Sequence, residues 1–214
     1  MNKNIFMYLS VALILLIPFP GRFAYGLVAV IQLNILLISG LAFRELLVRL
    51  KMEELQSQLI CILLIFLSIL FKLILTAVSP VMALTAGYAM YMPAVSVFVL
   101  TQLFDKQTVP LIVCIQRTMK KSLSVSLVML AIFLVRDLIG YGTVTFPSSS
   151  GLAAVKIIPW AAESSSVGVF VASIPAALII IGLLLILFSI VQTHRSLKNI
   201  PVQASKENTD ADVE

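Results

Sequence analysis

The chain has 214 residues, of which 60% are hydrophobic and only 12% charged, and its mean hydropathy is +1.09. A soluble domain is nearer ~45–50% apolar and ~25% charged, so the composition specifies an integral membrane protein. The net charge of +5 does not indicate nucleic acid, because the basic residues sit in short loops, where they set topology.

Segment 1 runs from Ile5 to Phe19 and is stopped by Pro18 and Pro20. Lys3 precedes an apolar core of signal-peptide length. Only Ala24-Tyr25-Gly26 then offers a small-x-small cleavage site, so the segment reads as an uncleaved, short or broken membrane helix. Segment 2 runs from Phe23 to Phe43, and its 21 residues match the ~20 that span a bilayer core. Gln32 and Asn34 interrupt it, either as glue between helices or as the lining of a path.

Segment 3 runs from Gln58 to Val78 and carries Lys72. Segment 4 runs from Val81 to Phe104 with Pro93 inside it. In the stretch 105–121, Val109–Ile115 is apolar but too short to span. It is either an interfacial piece or an early start to the next helix. Segment 5 is clearest from Ser122 to Ile139. The stretch Gly140–Ser166 is rich in Gly, Ser and Pro and carries Lys156, Trp160 and Glu163. Trp160 reads as an interfacial anchor. Segment 6 runs from Val167 to Val191 with Pro175 in its first half. The polar tail from Thr193 ends in NTDADVE and is expected to be disordered. The expected fold is an all-α polytopic membrane protein of about six helices, with one membrane domain over 1–192 and a cytoplasmic tail over 193–214.

One string recurs. FREL at 43–46 returns as VRDL at 135–138, so Arg44-Glu45 and Arg136-Asp137 lie 92 positions apart, each pair followed by two aliphatic residues. Charges are expensive at membrane depth, so a repeated pair points to internal duplication. The same offset maps Pro18 onto Pro110.

Topology follows from Lys and Arg. With six spans and the N-terminus inside, the inner side holds eleven of these residues and the outer side only Arg22, Arg136 and Lys156. This bias places both termini in the cytoplasm. The two Arg-acid pairs then fall on opposite faces, which predicts two inverted three-helix repeats, 1–79 and 80–192.

Few residues offer chemistry. There is no Cys-x-x-Cys, His-Glu-x-x-His, phosphate-binding loop or Gly-x-Ser-x-Gly. His194 stands beside Arg195 as a polar residue of the solvated tail, and Cys61 and Cys114 lack ligand-like neighbours in sequence. Metal sites need several such groups to converge. Lys72 lies about 9 Å from the outer end of its helix at ~1.5 Å per residue. Its amine either snorkels to the surface or pairs with an acid facing the bundle, for which Asp137 is the obvious candidate. Arg136-Asp137 is either a charged cap where its helix meets water, ended by Gly140 and Gly142, or a functional pair. Pro93 removes a backbone hydrogen bond, giving either a simple kink or a half-helix aimed at a cofactor or ion path.

At VRDLIGYGTVTF (135–146) the chain resembles the six-helix membrane subunits of the Rnf and Nqr redox-driven ion pumps, nearest the E subunit of Rnf and the D subunit of Nqr. The family's Leu-Arg-Glu, two aliphatics and Gly-x-Gly-Thr correspond to Val135, Arg136, Asp137, Leu138, Ile139, Gly140, Gly142 and Thr143. SLSVSLVMLAIFL (122–134), the final helix at 168–188 and YMPAVSVFV (91–99), at the place of the family's broken helix 4, add to the likeness. It is best over about 82–195. The resemblance implies two inverted three-helix repeats, other membrane subunits as partners (one homologous and of opposite topology) and a bacterial inner-membrane location. It implies a non-catalytic subunit of a complex that couples electron transfer from NADH or ferredoxin to sodium or proton movement. This chain would be scaffold or part of the ion path, through Lys72, Arg136, Asp137, Arg44 and Glu45.

The family also implies a 2Fe-2S cluster between paired subunits, held by cysteines on the two broken helices. Here the chain departs. No cysteine precedes Cys61, so the break at Leu16-Ile17-Pro18 lacks one, and counting on from Pro93 puts Val99 where the other would be. An alternative alignment over PLIVC (110–114) makes Cys114 that ligand. Either way one thiolate at most remains, and such clusters need several, so no complete cluster is expected on this chain. A different class fits the same helices: a small-solute transporter or the substrate-binding membrane component of an uptake system. A membrane scaffold without transport is the third reading.

Overall fold

The computed structural model describes residues 17–52, 54–103, 111–148, 151–157 and 166–199. It is an all-α membrane architecture with one small hairpin. Five helical stretches among the described residues are long and apolar enough to cross a bilayer: 23–49, 56–78, 80–100, 118–141 and 174–191. Of segment 1, residues 1–16 lie outside the described residues, and 17–22 are non-helical.

Helix α1 (Phe23–Arg49) forms the centre of the bundle. Its sequence is apolar all round, as befits a helix enclosed by others, and it packs on three further helices and a strand. These are α2 (Gln56–Val78), α4 (Met92–Leu103), α5 (Leu111–Tyr141) and β1 (Thr143–Ser148). Small residues permit the close approach. A Cβ on Gly26 would collide with the Phe133 side chain of α5. Contacts along α1 and α5 run in opposite order: Phe23 meets Asp137, Gly26 meets Phe133, and Asn34 meets Ser126 and Ser122. The two helices are therefore antiparallel, and Arg44 and Arg136 lie at opposite ends of the bundle.

Segment 4 is broken, although not at its proline. It consists of α3 (Pro80–Ala86), a 3-10 turn over Gly87–Tyr91 and then α4, in which Pro93 is the second residue. Gly87 takes φ +50° at the break, a left-handed conformation that glycine adopts without a Cβ clash. Segment 6 is broken as well, into α6 (Ser166–Ala172) and α7 (Ile174–Asn199), parted at Ser173 just before Pro175. Helix α7 carries on past Thr193 to Asn199, so the polar stretch begins as helix, with His194 exposed on it. The remaining tail lies outside the described residues.

The ambiguous stretch before segment 5 resolves as an early start: α5 begins at Leu111. After α5 the chain forms an antiparallel hairpin of β1 and β2 (Gly151–Lys156), in register from Thr143 opposite Lys156 to Ser148 opposite Gly151. Both strands lie within the Gly-, Ser- and Pro-rich stretch Gly140–Ser166. Gly142, at φ +63°, ends the helix and turns the chain into β1, as its glycine predicts.

Candidate functional site

The recurrent charged pair at 136–137 is wholly buried, with Arg136 and Asp137 each at 0% exposure. That rules out a charged cap at the water boundary. Neighbouring helix positions point about 100° apart, and the two side chains serve different partners.

Asp137 fastens three elements. Its Oδ2 accepts from the Phe23 backbone N–H (3.1 Å), the Thr145 backbone N–H (2.8 Å) and the Thr145 hydroxyl (2.7 Å). Its Oδ1 accepts from the Thr143 hydroxyl at 3.2 Å. Thr145 Oγ1 in turn accepts from the Ala24 N–H at 3.2 Å. The carboxylate thus joins the end of α5, the first turn of α1 and strand β1. The first N–H groups of a helix have no partner within it, and negative charge is favourable there. The T-shaped pair of Phe23 and Phe146, 5.8 Å apart and at 79°, covers the joint. The Arg22 guanidinium lies 4.4 Å from the centre of the Tyr141 ring.

Arg136 points to the other break. Its Nη2 donates to the Ala172 carbonyl (3.0 Å) and the Ser173 carbonyl (3.2 Å), at the parting of α6 from α7. Its Nε and Nη1 have no hydrogen-bond partner among the described residues. Gly140 and Gly21 make room for this contact. A Cβ on Gly140 would stand 2.8 Å from Ala172 Cβ, and one on Gly21 2.7 Å from the Ala172 carbonyl oxygen.

The other interrupted helix has its own support. Gln32 on α1 is fully buried, and its Nε2 donates at 2.7 Å to the Met90 carbonyl inside the 3-10 turn. A backbone group freed by the break is thereby satisfied, as lipid surroundings require. Asn34 Nδ2 donates to Ser126 Oγ at 3.0 Å, and Ser122 Oγ donates to Asn34 Oδ1 at 2.7 Å. Both polar residues of segment 2 therefore tie helices together.

Lys72 and Asp137 are not brought together. The carboxylate is committed to the α1 joint, and the Lys72 ammonium lies 5.2 Å from the centre of the Tyr91 ring. Neither makes an ion pair among the described residues. In the earlier Arg-acid pair, Glu45 accepts from Arg49 Nε at 3.4 Å, one turn along the same helix, and Arg44 is half-buried. The two copies of the pair therefore have different surroundings, one partly exposed and one enclosed.

Neither Val99, which lies within α4 beyond the Gly87–Tyr91 break, nor Ile17 offers the thiolate that an iron–sulfur cluster requires. Cys61 is half-buried on α2 and faces an apolar cavity. The Cys114 side chain, Trp160 and Glu163 lie outside the described residues. Among the described residues, no three His, Cys, Asp or Glu side chains converge as a metal site would need. Sequence reasoning missed Thr143 and Thr145 as partners of Asp137. Their signal was alternation directly after Gly142. Comparison with family models, with curated proteins and with solved structures finds no match for this chain.

Proposed function

We propose that this chain is an architectural membrane subunit of an Rnf/Nqr-type complex, which couples electron transfer from NADH or ferredoxin to sodium or proton movement. The observation that carries the reading is the fate of the motif on which the resemblance rests. Arg136, Asp137, Gly140, Gly142 and Thr143 form one enclosed joint between α1, α5, the hairpin and the α6–α7 break. A motif used in this way holds helix ends in place and leaves the redox chemistry to other subunits.

An inverted duplication agrees with the same geometry. Asn34 and Ser126 are hydrogen-bonded and 92 positions apart, the offset that separates Arg44 from Arg136. Contact between a residue and its own repeat mate is what a two-fold axis between antiparallel helices would give. In this reading the chain lies in a bacterial cytoplasmic membrane with both termini inside, beside a homologous subunit of opposite topology.

Affinity purification of the tagged chain in mild detergent tests the proposal. Co-purification of flavin- and iron-containing subunits is expected. Isolation with an ATPase module, together with substrate-dependent uptake by vesicles, would replace the proposal with the uptake-system reading.

A further inference from the structure

An apolar cavity of about 360 Å³ opens between α2 and α4, lined by Cys61, Leu64, Ile65, Tyr91, Ala94, Val95 and Phe98. Its volume falls within the ~300–1,000 Å³ of small-molecule sites. The Gly87–Tyr91 turn reaches the cavity through its last residue, Tyr91.

Above Tyr91 stands the Lys72 ammonium, 5.2 Å from the ring centre. Lys72 is half-buried in a segment otherwise apolar and makes no ion pair among the described residues. A cation at this depth calls for an anionic partner. Tyr91 joins the two into one groove, since it lines the cavity and faces the ammonium. From Lys72 to Cys61 is eleven residues of α2, about 16 Å at ~1.5 Å per residue.

We propose that this groove is a binding site for one anionic phospholipid, with its phosphate on the Lys72 ammonium and one acyl chain lying past Tyr91 in the cavity. The apolar lining and the sign of the charge beside it select that occupant. A zwitterionic lipid fills the cavity but gains less from Lys72. A cationic amphiphile is repelled by Lys72. A lysine whose ammonium reaches headgroup level, as Lys72 can by snorkelling, is worth about 1 kcal/mol towards anionic lipid, or about a fivefold preference. The site is independent of which complex the chain serves, so its failure would leave the proposed function untouched.

The experiment is native mass spectrometry of the full chain from nanodiscs of equal phosphatidylglycerol and phosphatidylcholine. The wild type is expected to retain one phospholipid, with phosphatidylglycerol favoured about fivefold. Lys72→Gln should still retain a phospholipid but without the preference. Ala94→Phe, which fills the cavity, should retain none. Phosphatidylglycerol with a photoreactive group near its chain end should crosslink the wild type within 61–65 and 94–98. Preference unchanged in Lys72→Gln, lipid retained by Ala94→Phe, or crosslinks confined to other helices would each overturn the proposal. The crosslinking arm uses only wild-type protein, so a variant that fails to fold does not leave the question open.

Discussion

The carboxylate of Asp137, near the end of α5, accepts a hydrogen bond at 3.1 Å from the backbone N–H of Phe23, the first residue of α1 and 114 positions earlier. The residue that should cap α1 locally is Arg22, and its side chain makes no capping bond. The cap is therefore supplied by another helix, and two distant segments become one unit. This explains why a charge persists deep in an apolar chain: every oxygen of the carboxylate is occupied, so its burial is compensated.

Asp137→Asn should be milder than Asp137→Leu. The asparagine can turn its carbonyl to the Phe23 and Thr145 donors and its amide to the Thr143 hydroxyl, which also accepts. Only the charge is lost, about 1–2 kcal/mol. Leucine leaves the buried N–H groups of Phe23 and Thr145 without an acceptor, at ~1–3 kcal/mol each. Thermal unfolding in detergent should rank wild type above Asn and Asn well above Leu. Equal loss in both variants would mean that Asp137 is not the shared acceptor.

The contact of α1 with α5 depends on Gly26. An added Cβ would come within 2.7 Å of Phe133 Cβ and closer still to the ring, and Phe133 is fully buried. Gly26→Ala should destabilise by about 1–3 kcal/mol, the usual effect of overfilling a packed core. Shortening the opposing ring in the double variant Gly26→Ala, Phe133→Leu should recover part of that loss. Contacting residues show such coupling, whereas distant ones simply add. Strictly additive losses in the same unfolding assay would contradict the packing.

Much of this was legible in the sequence, and the misses have physical causes. Apolar length located the spans, because lipid demands it. The breaks were displaced from their prolines. Proline lacks an N–H and its ring crowds the carbonyl four residues earlier, so disruption falls upstream. For Pro93 that residue is Ala89, inside the Gly87–Tyr91 turn; for Pro175 it is Val171, beside the parting at Ser173. The hairpin escaped notice because β2 reads Gly-Leu-Ala-Ala-Val-Lys, and alanine and glycine carry little strand propensity. Only β1, with Thr-Val-Thr-Phe, has a strand's composition. Asp137 stands out in the sequence as a charge in an apolar segment, but its partners include backbone N–H groups, which no residue type announces. The expected pairing with Lys72 failed for that reason, since the carboxylate was already occupied.

The remaining test concerns which faces of the membrane the two Arg-acid pairs approach. Because α1 and α5 are antiparallel, Arg44 and Arg136 lie at opposite ends of the bundle, and the proposed topology puts the Arg44 end in the cytoplasm. Met52 follows α1 and is exposed, as is Lys156 at the end of β2. Each can be replaced singly by cysteine in a background carrying Cys61→Ser and Cys114→Ser. A membrane-impermeant maleimide added to intact cells should label Lys156→Cys and spare Met52→Cys, with both labelled once the cells are opened. The reverse pattern would invert the assigned topology while keeping the antiparallel bundle. Labelling of both from outside would put the two helix ends on one face. That outcome is incompatible with antiparallel spans, and the inverted repeat would fall with them.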